Sequence, residues 1–200
     1  MGASLRELRQ RRKSVTATMK ITRAMELIAA SRIIKAQRTA ARALPFTREL
    51  NRAVSAVATY SNVDHPLTKE PVNPKRAALV FITSDRGMNG AYSSNAIKAA
   101  AQLAQRLRDE GKEVVRYPIG RKGIGYLTFR EMPIEESWSG FSDAPTYEVA
   151  HEIADRLMTD FLKGSEAGGV DEIYAVYTLS LIHISEPTRR TPISYAVFCL

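Results

Sequence analysis

Residues 77–90 of the chain read AALVFITSDRGMNG, and this stretch decides the fold class. The near-continuous apolar run Ala77–Thr83 is typical of a central parallel strand that is buried on both faces. The glycine-containing segment Ser84–Gly90 then predicts a turn. Tyr92–Arg108 has the composition of a helix, and Gly111 follows it where a C′ glycine belongs. A strand, a turn and a helix in this order indicate an α/β fold.

The residues after this stretch repeat the alternation of strand and helix. The predicted elements are a strand at Glu113–Ile119, a short helix at Arg121–Arg130, a longer helix at Thr146–Leu162 and a strand at Asp171–Thr178. Pro118 should end the second strand or confine it to an edge of the sheet, because proline cannot donate to a ladder. The pattern predicts a small, doubly wound, Rossmann-like α/β domain over residues 75–178, with right-handed crossovers.

Upstream of this domain, residues 4–58 predict one long helix within an N-terminal domain of residues 1–60. Ser4 is placed to cap the helix, with Glu7 three residues on as in a capping box. Glycine is absent between Gly2 and Gly87, but Pro45 should kink the helix or restart it. A helix of this length spans about 80 Å, which a domain of roughly 120 residues cannot bury. We therefore expect much of it to project and to find a partner elsewhere.

The predicted helix has an apolar seam and a strong positive charge. Its apolar residues recur at the steps of three and four that suit packing on another helix: Leu5, Leu8, Val15, Met19, Met25 and Ile28, with Ile21, Ala24 and Leu27 widening the stripe. Residues 1–52 carry thirteen Lys and Arg and three Glu, a net +10 in a chain of net +8. A basic helix on a near-neutral body calls for an acidic partner.

Two glycine-containing loops are candidates for phosphate binding, because each lies between a predicted strand and a predicted helix. Neither Ser84–Gly90 nor Gly120–Gly125 has the spacing of a dinucleotide or P-loop fingerprint. The simpler interpretation of the first is a tight turn that needs two glycines with positive φ, and of the second a turn into a surface helix. A nucleotide-dependent enzyme that uses Ser84–Gly90 stays open as an alternative.

No metal, cofactor or catalytic group is expected from the remaining residues. Cys199 is the single cysteine, which excludes an internal disulfide and a thiolate metal cage. The histidines His65, His151 and His183 are far apart in sequence, and no Ser/His/Asp arrangement stands out. No apolar run is long enough to cross a bilayer and no secretory signal is evident, so a soluble intracellular protein is the default expectation.

Residues 179–200, LSLIHISEPTRRTPISYAVFCL, do not continue the alternation of strand and helix. They resemble a translated sequencing-library adapter. Leu179–Arg189 and Ile193–Leu200 match two adapter segments in one reading frame, and the nine bases between them leave room for an eight-base index. We predict that this tail is non-native, that the natural sequence stops near Thr178, and that Cys199 and His183 carry no function.

The basic helix also admits nucleic-acid binding as an alternative function. Charge alone makes this a fair hypothesis, since Lys and Arg neutralise phosphates. Against it, residues 1–45 contain no aromatic side chain for base stacking, and no DNA-binding motif is evident. A salt-dependent shift of DNA would favour this alternative.

Lys20–Arg32, KITRAMELIAASR, resembles the N-terminal helix signature of the F-type ATP synthase γ chain. The opening Leu5–Arg9 is similar to the start of that family. Ser84–Tyr92 resembles its strand–turn–helix motif, which usually has Leu-Cys-Gly where this chain has Met88-Asn89-Gly90. Further segments match in order and rough spacing over residues 1–178: Ile119–Gly123, Asp171–Thr178 and, closest to actinobacterial members, Glu136–Phe141.

The resemblance implies a non-catalytic rotor subunit without a cofactor. It implies that the N-terminal helix is one half of an antiparallel coiled coil that forms the shaft inside the α3β3 ring, with the α/β domain beside the base of the stalk. The implied partners are the α, β and ε subunits and the c-ring, and the implied location is peripheral, on the cytoplasmic side of the cell membrane. Proton flow would turn the shaft and drive the catalytic β subunits through different nucleotide affinities.

The resemblance also implies residue roles. Lys20, Arg23 and Met25 would lie at the height of the β-subunit levers, with Arg32 and Lys35 on the same exposed helix. Leu5, Leu8 and Ile28 would form the seam toward the partner helix. That helix, about a third of a usual γ chain, is missing here, so we expect no working rotor from this chain alone. Exposed apolar residues should instead favour self-association.

Overall fold

The computed structural model describes residues 4–60, 71, 73–179 and 194–199. The chain divides into two units, Met1–Asp64 and His65–Leu200. The helices are α1 (Leu5–Tyr60), α2 (Tyr92–Asp109), α3 (Arg121–Phe129) and α4 (Tyr147–Lys163), and a short 3₁₀ helix covers Ser165–Ala167. The strands are β1 (Arg76–Ile82), β2 (Glu113–Ile119), β3 (Glu172–Leu179) and β4 (Ser194–Cys199).

The first unit consists of α1, and the expected long N-terminal helix is confirmed. Ser4 Oγ accepts a hydrogen bond from the amide of Glu7 at 3.3 Å, which confirms Ser4 as the cap. Of the two effects expected of Pro45, a kink or a restart of the helix, the restart is wrong, because α1 runs through this residue without a break. The amide that Pro45 lacks leaves one carbonyl free a turn earlier, at Ala41. Because Ala41 is exposed, water can satisfy that carbonyl.

The second unit is a mixed sheet with helices, in the strand order β2-β1-β3-β4. β1 pairs in parallel with both β2 and β3, so the expected small parallel α/β sheet is confirmed. β2 is an edge strand that contains Pro118, as its sequence predicted. Along its free edge, the carbonyl of Pro118 accepts from the amide of Trp138 at 3.3 Å, and the amide of Gly120 donates to the carbonyl of Trp138 at 2.7 Å.

The alternation of side chains along β1 builds two apolar layers, one on each face of the sheet. Leu79 and Phe81 point to one face, where α2 and α3 contribute Leu103, Leu107 and Leu127. Val80 points to the other face, which holds the buried Trp138 and the apolar side of α4. Burial of apolar surface contributes about 25 cal/mol per Å². A strand such as β1, which buries side chains on both faces, therefore gains more free energy of folding than a strand that buries only one face.

α2 ends as its sequence predicted. The amide of Gly111 donates to the carbonyl of Arg108 at 2.9 Å, and the amide of Lys112 donates to the carbonyl of Leu107 at 3.0 Å. These two bonds form a Schellman motif, and Gly111 takes the positive φ of 84° that the motif requires.

The tail differs from expectation in one respect. No element was assigned to residues 179–200, yet Ser194–Cys199 forms β4, antiparallel to β3. The sequence SYAVFC has high β propensity, and β3 offers an unpaired edge, so pairing satisfies backbone groups on both strands. Residues 61–70, which include His65, and residues 180–193, which include His183, lie outside the described part of the chain. The domain limits 1–60 and 75–178, and the non-native origin of residues 179–200, stay predictions.

Candidate functional site

The surface of α1 is the main candidate interaction site in the structure. Every residue of α1 whose side chain is described is exposed. The apolar ones include large side chains that a folded protein ordinarily covers, such as Leu5 at 64%, Met19 at 63% and Ile28 at 55% exposure. A contiguous set of exposed apolar residues on one element marks an interaction surface.

The apolar residues of α1 occupy two sides of the helix, because successive residues turn by about 100°. In that geometry Leu5, Leu8, Val15 and Met19 lie within about 80° of one another. Ile21, Met25 and Ile28 lie within about 60° of one another, and the two groups are centred about 150° apart. Leu27 and Ile34 lie outside both groups, and Ile33 lies on the side of the first group again. Over residues 5–28, with the exception of Leu27, the apolar surface therefore changes sides between Met19 and Ile21.

All eight residues predicted to bind partners lie exposed on α1. They do not form one patch, because Leu5 and Lys35 are about 45 Å apart along the axis. The first apolar side holds Leu5 and Leu8 beside Arg23, and the second holds Met25 and Ile28 beside Arg32. Lys20 and Lys35 flank these sides.

The positive charge of α1 is little compensated within the helix. Arg23 pairs with Glu26 at 2.7 Å and Arg52 pairs with Glu49 at 2.9 Å, and all four side chains are mostly exposed. Exposed pairs at this spacing stabilise a helix by about 0.2–0.5 kcal/mol. The remaining basic side chains are available to an acidic surface.

The turn after β1 and the start of α3 are already joined to each other. The amides of Arg121, Lys122 and Gly123 donate to Asp85 Oδ1 at 3.0 Å, to the Ser84 carbonyl at 3.1 Å and to Thr83 Oγ1 at 2.9 Å. A phosphate at this helix N-terminus would need these same amides. The geometry supports the interpretation of Gly120–Gly125 as a structural turn.

Asp85 also holds a third segment. Its Oδ2 accepts hydrogen bonds from the amides of Gly140 at 2.8 Å and Ser142 at 3.1 Å. Burial raises the pKa of this carboxyl, but the hydrogen bonds from the amides of Ser142, Arg121 and Gly140 outweigh burial and lower the pKa from 3.8 to about 2. Asp85 is therefore ionised at neutral pH and fastens three segments together.

The sequence did not reveal this role of Asp85. Its partners lie 36 residues away at Arg121 and more than fifty away at Gly140 and Ser142. A local pattern cannot show contacts at such separations.

The expectation that Ser84–Gly90 needs two glycines with positive φ is only half right. Gly90 has φ of 58°, but the second positive value, 59°, belongs to Met88 and not to Gly87. Met88 is 89% exposed, so its side chain clashes with nothing and the turn tolerates a residue that rarely adopts this conformation.

The described residues do not form a metal site or a membrane-spanning helix. Within residues 4–60, 71, 73–179 and 194–199, no three His, Cys, Asp or Glu side chains cluster as metal ligands would. His151 lies against Asp155, with Nδ1 and Oδ2 2.8 Å apart, on the exposed side of α4. No helix in this part of the chain combines the length and the apolar character needed to span a membrane.

Comparison with protein families matches residues 4–193 to the family described as ATP synthase. Two curated relatives are named ATP synthase gamma chain. The protein from Nocardioides sp. is 56% identical over 189 residues, which cover 94% of this chain and 62% of the relative. The protein from Acidothermus cellulolyticus is 53% identical over 192 residues, which cover 95% and 64%. The chain thus spans somewhat under two thirds of these relatives.

Solved structures share the fold. A chain from the central stalk and c-ring of the Tetrahymena thermophila mitochondrial ATP synthase aligns with a TM-score of 0.56 at 24% identity, over 90% of this chain and 70% of that chain. A chain from the Euglena gracilis mitochondrial ATP synthase aligns with a TM-score of 0.59 at 15% identity, over 96% and 56%. None of these comparisons supports the nucleic-acid-binding alternative.

Proposed function

Because this chain belongs to the ATP synthase γ-chain family, we propose that it is a non-catalytic, central rotor subunit of an F-type ATP synthase. Its role is to couple proton flow through the membrane sector to conformational changes in the catalytic β subunits. The observation that carries this proposal is α1: a helix of 56 residues, exposed along its described length, basic, and apolar on two sides.

The proposal assigns α1 to contacts with the α and β subunits. A rotor has to transmit force at every angle without binding tightly at any one of them. Basic side chains suit this because attraction to acidic levers acts over several ångströms and does not require static packing. Lys20, Arg23, Arg32 and Lys35 provide these charges, and Met25 lies among them on the helix.

The apolar residues Leu5, Leu8 and Ile28 serve a different contact in this proposal. They pack against a helix of the same complex as one half of an antiparallel coiled coil, where burial of each such side chain stabilises the pair by about 1.5–3 kcal/mol. This arrangement provides the stiffness that a shaft needs, since most of the stability of a helix in a protein comes from packing of its apolar face.

The α/β unit contributes no catalytic group in this proposal and lies at the base of the stalk, near the ε subunit and the c-ring. The subunit is held at the cytoplasmic side of the cell membrane through the complex. No cofactor is assigned.

The test is co-expression of the chain with the α and β subunits from the Nocardioides strain, followed by purification through a tag on the β subunit. We expect one copy of the chain to co-purify with each α3β3 ring, and the amount retained to fall as salt rises, because screening weakens exposed charge pairs.

Two double variants sharpen the test. Arg32→Gln with Lys35→Gln should reduce retention and flatten its salt dependence. Lys98→Gln with Arg106→Gln removes two exposed charges from α2 and should leave both unchanged. Failure of the chain to co-purify at low salt, or equal loss in the two variants, would overturn the proposal.

A further inference from the structure

A small cavity of about 60 Å³ lies in the α/β unit between α2, α3 and the sheet. Its walls are mostly apolar and include Leu79, Phe81 and Leu127. Apolar space of this kind is unusual, because protein interiors are close-packed and lining atoms without neighbours lose dispersion contacts. The cavity has room for a few non-hydrogen atoms, which matches the end of one aliphatic side chain.

Two arginines, Arg108 of α2 and Arg116 of β2, belong to the lining of this cavity. Burial lowers the pKa of Arg116, and the nearby charge of Arg108 lowers it further. Among the described residues neither guanidinium pairs with a carboxylate; Arg108 donates instead to Gln105 Oε1 at 2.9 Å. Arg108 is exposed and Arg116 is half-buried, and an anion that pairs with both would relieve the repulsion between their like charges.

Helix α3 adds an aromatic ring and a further positive charge to this region. Tyr126 of α3 lines the cavity, and the guanidinium of Arg130 lies 5.1 Å from its ring centroid. Phe129, one turn further along α3, is 87% exposed. The cavity and its two arginines combine apolar contact with positive charge, and the cavity walls contain no acidic residue.

We propose that this surface docks an acidic protein segment, one aliphatic side chain of which fills the cavity while neighbouring carboxylates join Arg108 and Arg116. Charge complementarity selects an acidic occupant, and bidentate pairing between carboxylate and guanidinium fixes its orientation. A protein segment is favoured over a free small acid because a ligand of few atoms binds weakly, whereas a segment adds contacts around the cavity. The surface belongs to the α/β unit alone, so its occupancy does not depend on the role proposed for α1.

The test is titration of the full chain with the acetylated, amidated peptide Asp-Glu-Leu-Glu-Asp, followed by methyl NMR signals of Leu79 and Leu127. We expect saturable shifts of both signals. The peptide with Ala in place of Leu, and the small acid 4-methylpentanoate, should each bind at least tenfold more weakly.

Variants of the chain separate the site from general charge. Arg116→Gln should weaken peptide binding at least fivefold, and Ala101→Leu, which fills the mouth of the cavity from an exposed position, should do the same without disturbing the core. The control is Arg106→Gln. Arg106 belongs to α2, like Ala101 and Arg108, but does not line the cavity, so this change should have no effect. Absent shifts at millimolar peptide, equal weakening by Arg106→Gln, or 4-methylpentanoate binding as tightly as the peptide would each overturn the proposal.

Discussion

At the scale of single residues, the stretch Thr83–Asp85 accepts hydrogen bonds from several backbone amides of the α/β unit. Its residues supply acceptors to three successive amides at the start of α3, and Asp85 binds two further amides in a third segment. Buried or partly buried amides without acceptors are costly, so these residues decide whether the carboxyl end of the sheet is ordered.

Asp85→Asn should lower the free energy of unfolding of the α/β unit by about 1–3 kcal/mol, since an amide nitrogen cannot accept the bonds that a carboxylate oxygen accepts. Because the folded-state pKa of Asp85 is depressed from 3.8 to about 2, its contribution is complete above pH 4 and is lost as the pH falls toward 2. Urea unfolding monitored by the fluorescence of Trp138, which lies in this unit, measures the effect. A difference between wild type and variant that persists unchanged at pH 2 would contradict the assignment.

Gly123 and Gly125, both in α3, should respond in opposite directions to alanine. A Cβ at Gly123 would lie 2.8 Å from Phe81 Cε2 and 3.0 Å from Thr83 Oγ1, whereas a Cβ at Gly125 would meet nothing within 4 Å. We expect Gly123→Ala to destabilise by about 1–3 kcal/mol through overpacking. Gly125→Ala should stabilise by about 0.5–1 kcal/mol by reducing chain entropy. Thermal unfolding of the two variants side by side checks this, and destabilisation by both would rule out the packing explanation.

At the scale of elements, the sequence predicted most of the fold because local chemistry determines most element ends. Ser4 and Gly111 terminate α1 and α2 where capping rules place them, and Pro118 confines β2 to an edge. The errors arise where the environment decides. Pro45 is tolerated because its neighbourhood is exposed, and β4 forms because β3 offers an edge that a local pattern cannot show.

Pro45→Ala should stabilise α1, since it restores one backbone hydrogen bond and removes a ring clash. The intrinsic difference between proline and alanine inside a helix is about 3 kcal/mol, which sets the upper limit. Circular dichroism at 222 nm on warming should show helix loss delayed in the variant. Ala36→Gly, elsewhere in α1, serves as the reference and should advance helix loss; an unchanged melt for Pro45→Ala would show that the proline is not a weak point.

The candidate sites differ in how far the sequence reveals them. The basic and apolar character of α1 is visible in residues 1–52 without any structure. The arrangement of its apolar residues on two sides also follows from helix geometry alone. By contrast, Arg108 and Arg116 belong to different elements, and only the packing of α2 against the sheet brings them to one cavity.

At the scale of the whole molecule, the two units differ in how much of their apolar surface is exposed. The α/β unit buries its apolar residues on both faces of the sheet, whereas α1 leaves its own exposed. We expect association between copies to be driven from α1, because among the described residues α1 carries most of the large apolar side chains that are exposed.

We expect the isolated chain to self-associate with rising concentration, as measured by multi-angle light scattering. Leu8→Lys with Ile28→Lys should restore the monomer, because the two changes place charge on both apolar sides of α1. Leu162→Lys, which alters an exposed apolar residue of α4 at 59% exposure, should not. A monodisperse monomer at high concentration would contradict this expectation.

The change of apolar side between Met19 and Ile21 restricts any companion of α1. A straight helix that packs along one side of α1 would contact apolar side chains over only part of its length and polar side chains over the rest. A companion that covers both sides has to cross from one side of α1 to the other near Lys20. A companion held on both sides of α1 resists rotation of α1 against it. A torque applied at one end of the helix is therefore transmitted to the other end.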